Sequence, residues 1–136
     1  GTLRRLCLDG DSVPPTLRPL AVSWKAARLQ PCAPKVGQRL ERVDVEADGS
    51  FLLRDPDTHL CLGANRRAVG FATCRSLHRW RVKRWEVQLQ HIHSSFCIDA
   101  GDRVSPILWA CHRPKAEIKQ QFELIPDAGG KYISVR

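Results

Sequence analysis

Residues 96–99 read Phe96-Cys97-Ile98-Asp99: an apolar residue, a cysteine, a second apolar residue and a carboxylate. The same cell stands earlier as Leu6-Cys7-Leu8-Asp9 and, with glycine in the last place, as Leu60-Cys61-Leu62-Gly63. Each cell is followed by a second cysteine behind a short apolar or mixed segment: Leu29-Gln30-Pro31-Cys32, Phe71-Ala72-Thr73-Cys74 and Leu108-Trp109-Ala110-Cys111. A third cell closes each copy, as Gln38-Arg39-Leu40, Lys83-Arg84-Trp85-Glu86-Val87 and Gln120-Gln121-Phe122-Glu123-Leu124. Gly49-Ser50-Phe51-Leu52-Leu53-Arg54 is echoed by Gly130-Lys131-Tyr132-Ile133-Ser134-Val135-Arg136. Three imperfect copies of roughly 40 residues make a repeat architecture. Six cysteines permit 15 pairings, and the repeat selects one of them: Cys7–Cys32, Cys61–Cys74 and Cys97–Cys111.

The local pattern inside each copy is strand-like. Arg84 to Gln90 alternates polar and apolar residues, and Phe51 to Arg54 makes a short mixed run. Breakers such as Pro14-Pro15, Asp48-Gly49, Asp55-Pro56, Gly101-Asp102 and Gly129-Gly130 recur at short intervals. Only Ala21–Gln30 leaves room for a helix, and it is too short to organise a fold. The expectation is an all-β barrel or sandwich, with three copies closing on one another because one copy cannot bury its own apolar face.

With 136 residues, the chain is read as one domain spanning 1–136, with copies at about 1–48, 49–87 and 88–136. No apolar run reaches the roughly 18–20 residues of a membrane span, so membrane insertion is not expected. The chain lacks methionine and a signal-peptide pattern, which predicts a processed or excised part of a longer protein. Lys and Arg number 22 against 14 acids, a net charge of +8 that favours acidic partners. The closest cysteines are too far apart for a C-x2-C zinc pair. An even cysteine count instead points to disulfides and an oxidising setting, secreted or in the lumen of the secretory pathway. That setting also disfavours nucleic acid as the partner.

The order Cys-Leu-Asp, aromatic-x-Cys, Gln-x-aromatic resembles the ricin-type (R-type) lectin, a β-trefoil, and in particular the lectin domain appended to polypeptide N-acetylgalactosaminyltransferases. The best-matching part is Cys97-Ile98-Asp99-Ala100, Leu108-Trp109-Ala110-Cys111-His112 and Gln120-Gln121-Phe122. The cysteine-rich domain of mannose-receptor-like proteins, which binds sulfated sugars, shares the same cells. The resemblance implies a β-trefoil lectin module recognising a galactose- or GalNAc-type or sulfated glycan, on glycans or glycoproteins, without a cofactor or metal. It implies a third-copy site in which Asp99 grips adjacent hydroxyls, Trp109 or His112 offers a flat face, and Gln120 lies nearby. The family's usual Asn before the Gln is Lys119 here, and a lysine in that place meets a sulfate or carboxylate as a point charge. Asp9 with Gln30 makes a second candidate in the first copy. The middle copy departs from the pattern, with Gly63 in place of Asp and Lys83 in place of Gln.

Each of these residues also has a plain structural reading. The Gln38 and Gln120 amides suit turn backbone groups, Phe122 and Trp85 suit the core, and Trp109 suits packing on a disulfide. Asp9 and Asp99 suit turn amides two residues on. Trp24 either serves a site from the 10–29 insert or anchors that loop. The run from Arg75 to Arg84 carries Arg75, His78, Arg79, Arg81, Lys83 and Arg84 around Trp80, and reads as an anionic-glycan patch or as a solvated face. His91 and His93 have strand spacing and are read as two rings on a solvent face. No hydrolase or phosphate-loop motif is present, and paired cysteines leave no thiol nucleophile, so a non-enzyme is expected. The alternative to a lectin is a trefoil with decayed sugar sites that docks a protein partner through its basic surface or the 10–29 insert.

Overall fold

Turn-forming residues interrupt the chain so often that strands, which need only a few residues each, are the elements that form. The computed structural model describes residues 5–11, 24–83, 87–114 and 116–136. Among them helix is confined to two 3-10 turns, Ser76–His78 and Ile118–Gln120. The strands are β1 (Leu6–Asp9), β2 (Trp24–Ala26), β3 (Arg28–Pro31), β4 (Glu41–Val43), β5 (Leu52–Arg54), β6 (Cys61–Asn65) and β7 (Ala68–Ala72). They continue as β8 (Trp80–Lys83), β9 (Gln88–His91), β10 (Cys97–Asp99), β11 (Ile107–Trp109), β12 (Leu124–Pro126) and β13 (Ile133–Val135). The all-β expectation holds. Of the short helix allowed at Ala21–Gln30, residues 21–23 lie outside the described residues, and the rest does not form it, because residues 24–26 and 28–31 are extended and paired.

Every strand pairing among the described residues is antiparallel. One long sheet runs β4-β5-β6-β7-β11-β10-β9-β8, with β2 also on β7. A bridge between Phe51 and Trp80 curls it back, joining the residue before β5 to the start of β8. β1 pairs with β3 and β12 with β13 as separate ribbons, and a Leu40–Ile133 bridge ties the second to the residue before β4. No helix among the described residues is long and apolar enough to cross a membrane.

The three disulfides are Cys7–Cys32, Cys61–Cys74 and Cys97–Cys111, the pairing the repeat selects. Their placement is uniform. Cys7 lies opposite Gln30, Cys61 opposite Ala72 and Cys97 opposite Trp109, and each bridge goes to the cysteine two residues beyond that partner. Residues in that diagonal relation share a sheet face, and the Cα atoms stand 5.0, 4.9 and 5.0 Å apart. A closed loop of about 15 residues stabilises a fold by about 3 kcal/mol through the unfolded chain.

The residue after each first cysteine faces the opposite way, and Leu8, Leu62 and Ile98 are all in the core. They pack with Leu53, Phe71, Leu89, Leu108, Phe122 and Trp80. Trp80 is wholly buried, its indole N–H donating to the Leu62 carbonyl at 2.8 Å. Alternation across 84–90 does not survive as a half-exposed strand. All of Gln88–His91 is buried, while 84–86, including Trp85, lie outside the described residues. The two amides are buried because they find partners: Gln88 donates to Gln120 Oε1, and Gln90 donates to the Ser95 carbonyl and accepts from Arg81.

Two basic residues read as surface groups are also inside. Arg79 is buried beside Trp80, with Nη2 paired to Asp44 and Glu46 and Nη1 donating to the carbonyls of Asp44 and Ser50. His91 is 3% exposed, packed edge-on to Trp80 at 5.0 Å, with Nδ1 on the Ser94 hydroxyl. Only His93 of the pair is exposed, in the turn after β9, so the expectation of two solvent-facing rings is corrected. Strand spacing fails because β9 ends at His91. Burial, with the charges of His78 and His93, pushes the His91 pKa down to about 4.

Replacing Arg79 with alanine frees two acids that are more than half exposed and rehydrate readily, but takes the guanidinium donor from the Asp44 carbonyl and leaves the Ser50 carbonyl with the Glu46 amide alone. A loss of about 1–3 kcal/mol in urea unfolding is expected. For His91, the unfolded ring takes a proton near its ordinary pKa of 6.5 while the folded ring stays neutral to about 4. Its contribution is therefore complete above about pH 6.5 and declines as pH falls toward about 4, by at most about 1.4 kcal/mol per pH unit. Urea midpoints measured across that window should fall with pH in the native chain and fall less steeply in His91→Phe.

Candidate functional site

The first and third copies build the same buried network. Asp9 and Asp99 each stand two residues after the first cysteine, so their carboxylates lie on the disulfide side of the sheet. Oδ1 of Asp9 accepts the Asp11 amide at 2.6 Å, and Oδ1 of Asp99 accepts the Gly101 amide at 2.8 Å. Oδ2 of each accepts the amide nitrogen of the copy's glutamine, Gln38 at 3.0 Å and Gln120 at 3.2 Å. The same glutamine nitrogen donates to the carbonyl before the second cysteine, of Pro31 or Ala110, and its oxygen accepts the amide after that cysteine, of Ala33 or His112. One side chain thus ties the β-pair, the disulfide loop and the closing cell together.

Gln120 also accepts from Gln88, which fills both donors and both acceptor positions of its amide. It is wholly buried, with its amide nitrogen on Asp99. Asp99 is 6% exposed, and its two accepted bonds use about half of a carboxylate's acceptor sites. Asp9, at 0% exposure, accepts a further contact from Lys35 Nζ at 2.9 Å. Burial pushes the Asp9 carboxyl up, but the hydrogen bonds of Lys35, Gln38 and the Asp11 amide, with the lysine charge, outweigh it and hold the pKa below the ordinary value. Lys35 therefore closes the first-copy carboxylate with a cation from its own loop. Gln30 stands half-buried on β3 opposite Cys7.

Trp109 is 46% exposed at the end of β11. Cys97 lies opposite Trp109 and Asp99 opposite Ile107, so the indole and the Asp99 carboxylate belong to one face of the β10–β11 pair. The Arg67 guanidinium lies 4.3 Å from the indole centroid and 5.6 Å from that of Phe96. It gets there because the β6–β7 turn abuts β11, with Ala68 opposite Ile107 and the Arg67 carbonyl accepting the Leu108 amide. His112 is half-buried, its Nδ1 accepting the Glu117 amide at 3.2 Å. Lys119 is exposed and lines a cavity that Asp99, Trp109 and His112 do not line. The five expected third-copy residues are thus split: Asp99 and Gln120 bonded together, Trp109 on the same face, His112 fixed by its backbone, and Lys119 turned to another surface.

The middle copy shows why it departs from the pattern. A Cβ on Gly63 would lie 2.2 Å from Nδ1 of His78, so the imidazole fills the space that Asp9 and Asp99 occupy in the other copies. The basic run is accordingly folded inward at its centre. His78, Arg79 and Trp80 are buried, Lys83 is half-buried, Arg75 and Arg81 are exposed, and Arg84 lies outside the described residues. Burial and the Arg75 charge hold His78 below its ordinary pKa. Trp24 anchors the second half of the 10–29 insert. β2 pairs with β7, and a Cβ on Gly70 would meet the Trp24 ring at 2.5 Å.

Lys35 and Arg67 are the residues that sequence reasoning missed as determinants of the two sites. Both sit in turns, where a basic residue carries no periodic signal. Among the described residues no group of three His, Cys, Asp or Glu side chains is placed to hold a metal ion. No protein-family model matches the chain, and no curated protein matches it.

Proposed function

We propose that the chain is a carbohydrate-binding module of the β-trefoil, ricin-type lectin class, working outside the cell or in the secretory lumen, that holds a galactose- or GalNAc-type or sulfated glycan at its third copy. It binds and does no chemistry. The observation that carries this reading is the exposed Trp109 on the same strand face as an Asp99 carboxylate with acceptor capacity to spare. A flat indole beside a carboxylate suits a sugar, whose apolar face stacks on the ring while adjacent hydroxyls donate to the oxygens. Arg67 covers one face of the indole, so the other is the stacking surface. The three identically placed disulfides and the duplicated Asp–Gln network support a threefold trefoil arrangement. The disulfides also fit an oxidising compartment.

The second reading, a trefoil that docks a protein partner, is favoured by a specific observation. Lys35 closes the Asp9 site, and the His78 ring replaces a carboxylate at Gly63, so two of three copies offer no open carboxylate.

A glycan array probed with oxidised protein at two salt concentrations separates them. The lectin reading expects binding to a galactose- or GalNAc-terminated ligand that resists salt, since a stacked and hydrogen-bonded neutral sugar involves no ion pairing. Trp109→Ala should weaken it by about tenfold or more with little change in melting temperature, because the ring is half exposed. Asp99→Asn should also weaken it, at some cost in stability through the Gln120 bond. An array with no sugar response, and a Trp109→Ala chain indistinguishable from native, leaves the docking reading.

A further inference from the structure

The cavity that Lys119 lines lies between the first and third copies. About 310 Å³ in volume, it opens where the residues around β1 and β3 meet the turn after β10, the segment from Ile118 to Glu123 and the last residue of the chain. Arg5, Arg103, Lys119 and Arg136 line it, with Glu123 as the one acid of the lining. Leu29 and Phe122, both core residues, form part of its apolar wall.

The charge of this lining is unspent. Lys35, Arg39, Arg54 and Arg79 each meet a carboxylate elsewhere in the fold. Among the described residues, none of the four cations of the cavity does. Arg136 is instead steadied by Nε donating to the Ser134 hydroxyl at 2.9 Å. Arg103 is held at the rim in a backbone conformation that a long side chain adopts at a cost, φ +70°. Its turn is fixed on both sides, with its own amide bonded to the Ala100 carbonyl at 2.7 Å and Asp102 Oδ1 accepting the amides of Val104 and Ser105. Ala100 in turn donates to the Lys119 carbonyl, so Arg103 and Lys119 stand on two segments stitched together.

Unneutralised cations gathered on low-dielectric walls concentrate anions. A space at the lower end of ligand-pocket sizes admits one sugar-sized ring and its substituent. We propose that this cavity binds a compact oxyanion ester, a sulfate or phosphate carried on a sugar-sized body, with Arg103 and Lys119 holding the anion and the apolar wall receiving the body. The site is separate from the face of Asp99 and Trp109 and stands or falls independently of it.

Isothermal titration of the Trp109→Ala chain, which lacks the stacking surface for a neutral sugar, with galactose 6-sulfate, galactose 6-phosphate and galactose, at low and physiological salt, tests it, the further substitutions being made in that same chain. At least one ester should bind where galactose does not enter, and the ester preferred names the source of the anion. Arg103→Gly suits the strained turn and should fold at least as stably as that parent chain, yet bind about tenfold more weakly or worse. Lys119→Ala should lose a similar factor. Lys131→Ala, an equal change of charge at an exposed site that does not line the cavity, should bind as the parent chain does. Neither ester binding, galactose binding equally well, equal affinity across all variants, or a loss in Lys131→Ala as large as in Arg103→Gly would each overturn the proposal.

Discussion

Everything in this fold hangs on the diagonal that each disulfide takes across its β-pair. A bridge from one cysteine to the residue two beyond its cross-strand partner is possible only if the register of that pair is correct. A slip by one residue turns the cysteines to opposite faces and takes Leu8, Leu62 or Ile98 out of the core. The covalent bond and the hydrophobic pattern therefore enforce the same register. With register fixed, the residue two beyond the first cysteine points toward the disulfide loop. That is where the chain puts Asp9, Asp99 or the glycine that yields its place to His78.

The sequence was most legible where a repeat compared one copy with another. The pairing of six cysteines follows from three spaced cells, as does the β class, and the structure has both. Periodicity within a single copy was less reliable. Gln88 and Gln90 sit at polar positions of an alternating run, yet both are buried, because each amide meets a partner inside the fold, Gln88 at distant Gln120 and Gln90 at the Ser95 carbonyl of the adjoining turn. Alternation reports which side chains dislike water, and it is silent about polar groups that have found bonds elsewhere. His91 and Arg79 belong with them, one packed on Trp80 and the other clamped to Asp44 and Glu46.

The candidate site was legible in its residue types but not in its surroundings. Asp99 and Trp109 share a face, as positions on two paired strands must. What limits them is contributed by turns. Lys35 reaches Asp9 from a loop three residues before Gln38, and Arg67 reaches Trp109 from the hairpin turn of another copy. A cation in a turn looks the same in sequence whether it faces solvent, a carboxylate or a ring. The cavity with Arg103 and Lys119 was hidden for the same reason, since its lining comes from segments far apart in the chain.

Trp24 and Gly70 also bear on how such a chain assembles. The β6–β7 hairpin closes through the two residues Arg66 and Arg67, a short loop that forms at small entropic cost. Among the described residues β2 has no comparable local partner. It must find β7 across the whole stretch from Ala26 to Ala68, and the indole of Trp24 settles over a bare backbone at Gly70. The hairpin is thus a contact between sequence neighbours, while β2 reaches β7 only by closing a long loop. A strand of the first copy takes its sheet neighbour from the second, so the two copies cannot be parted without breaking that pair.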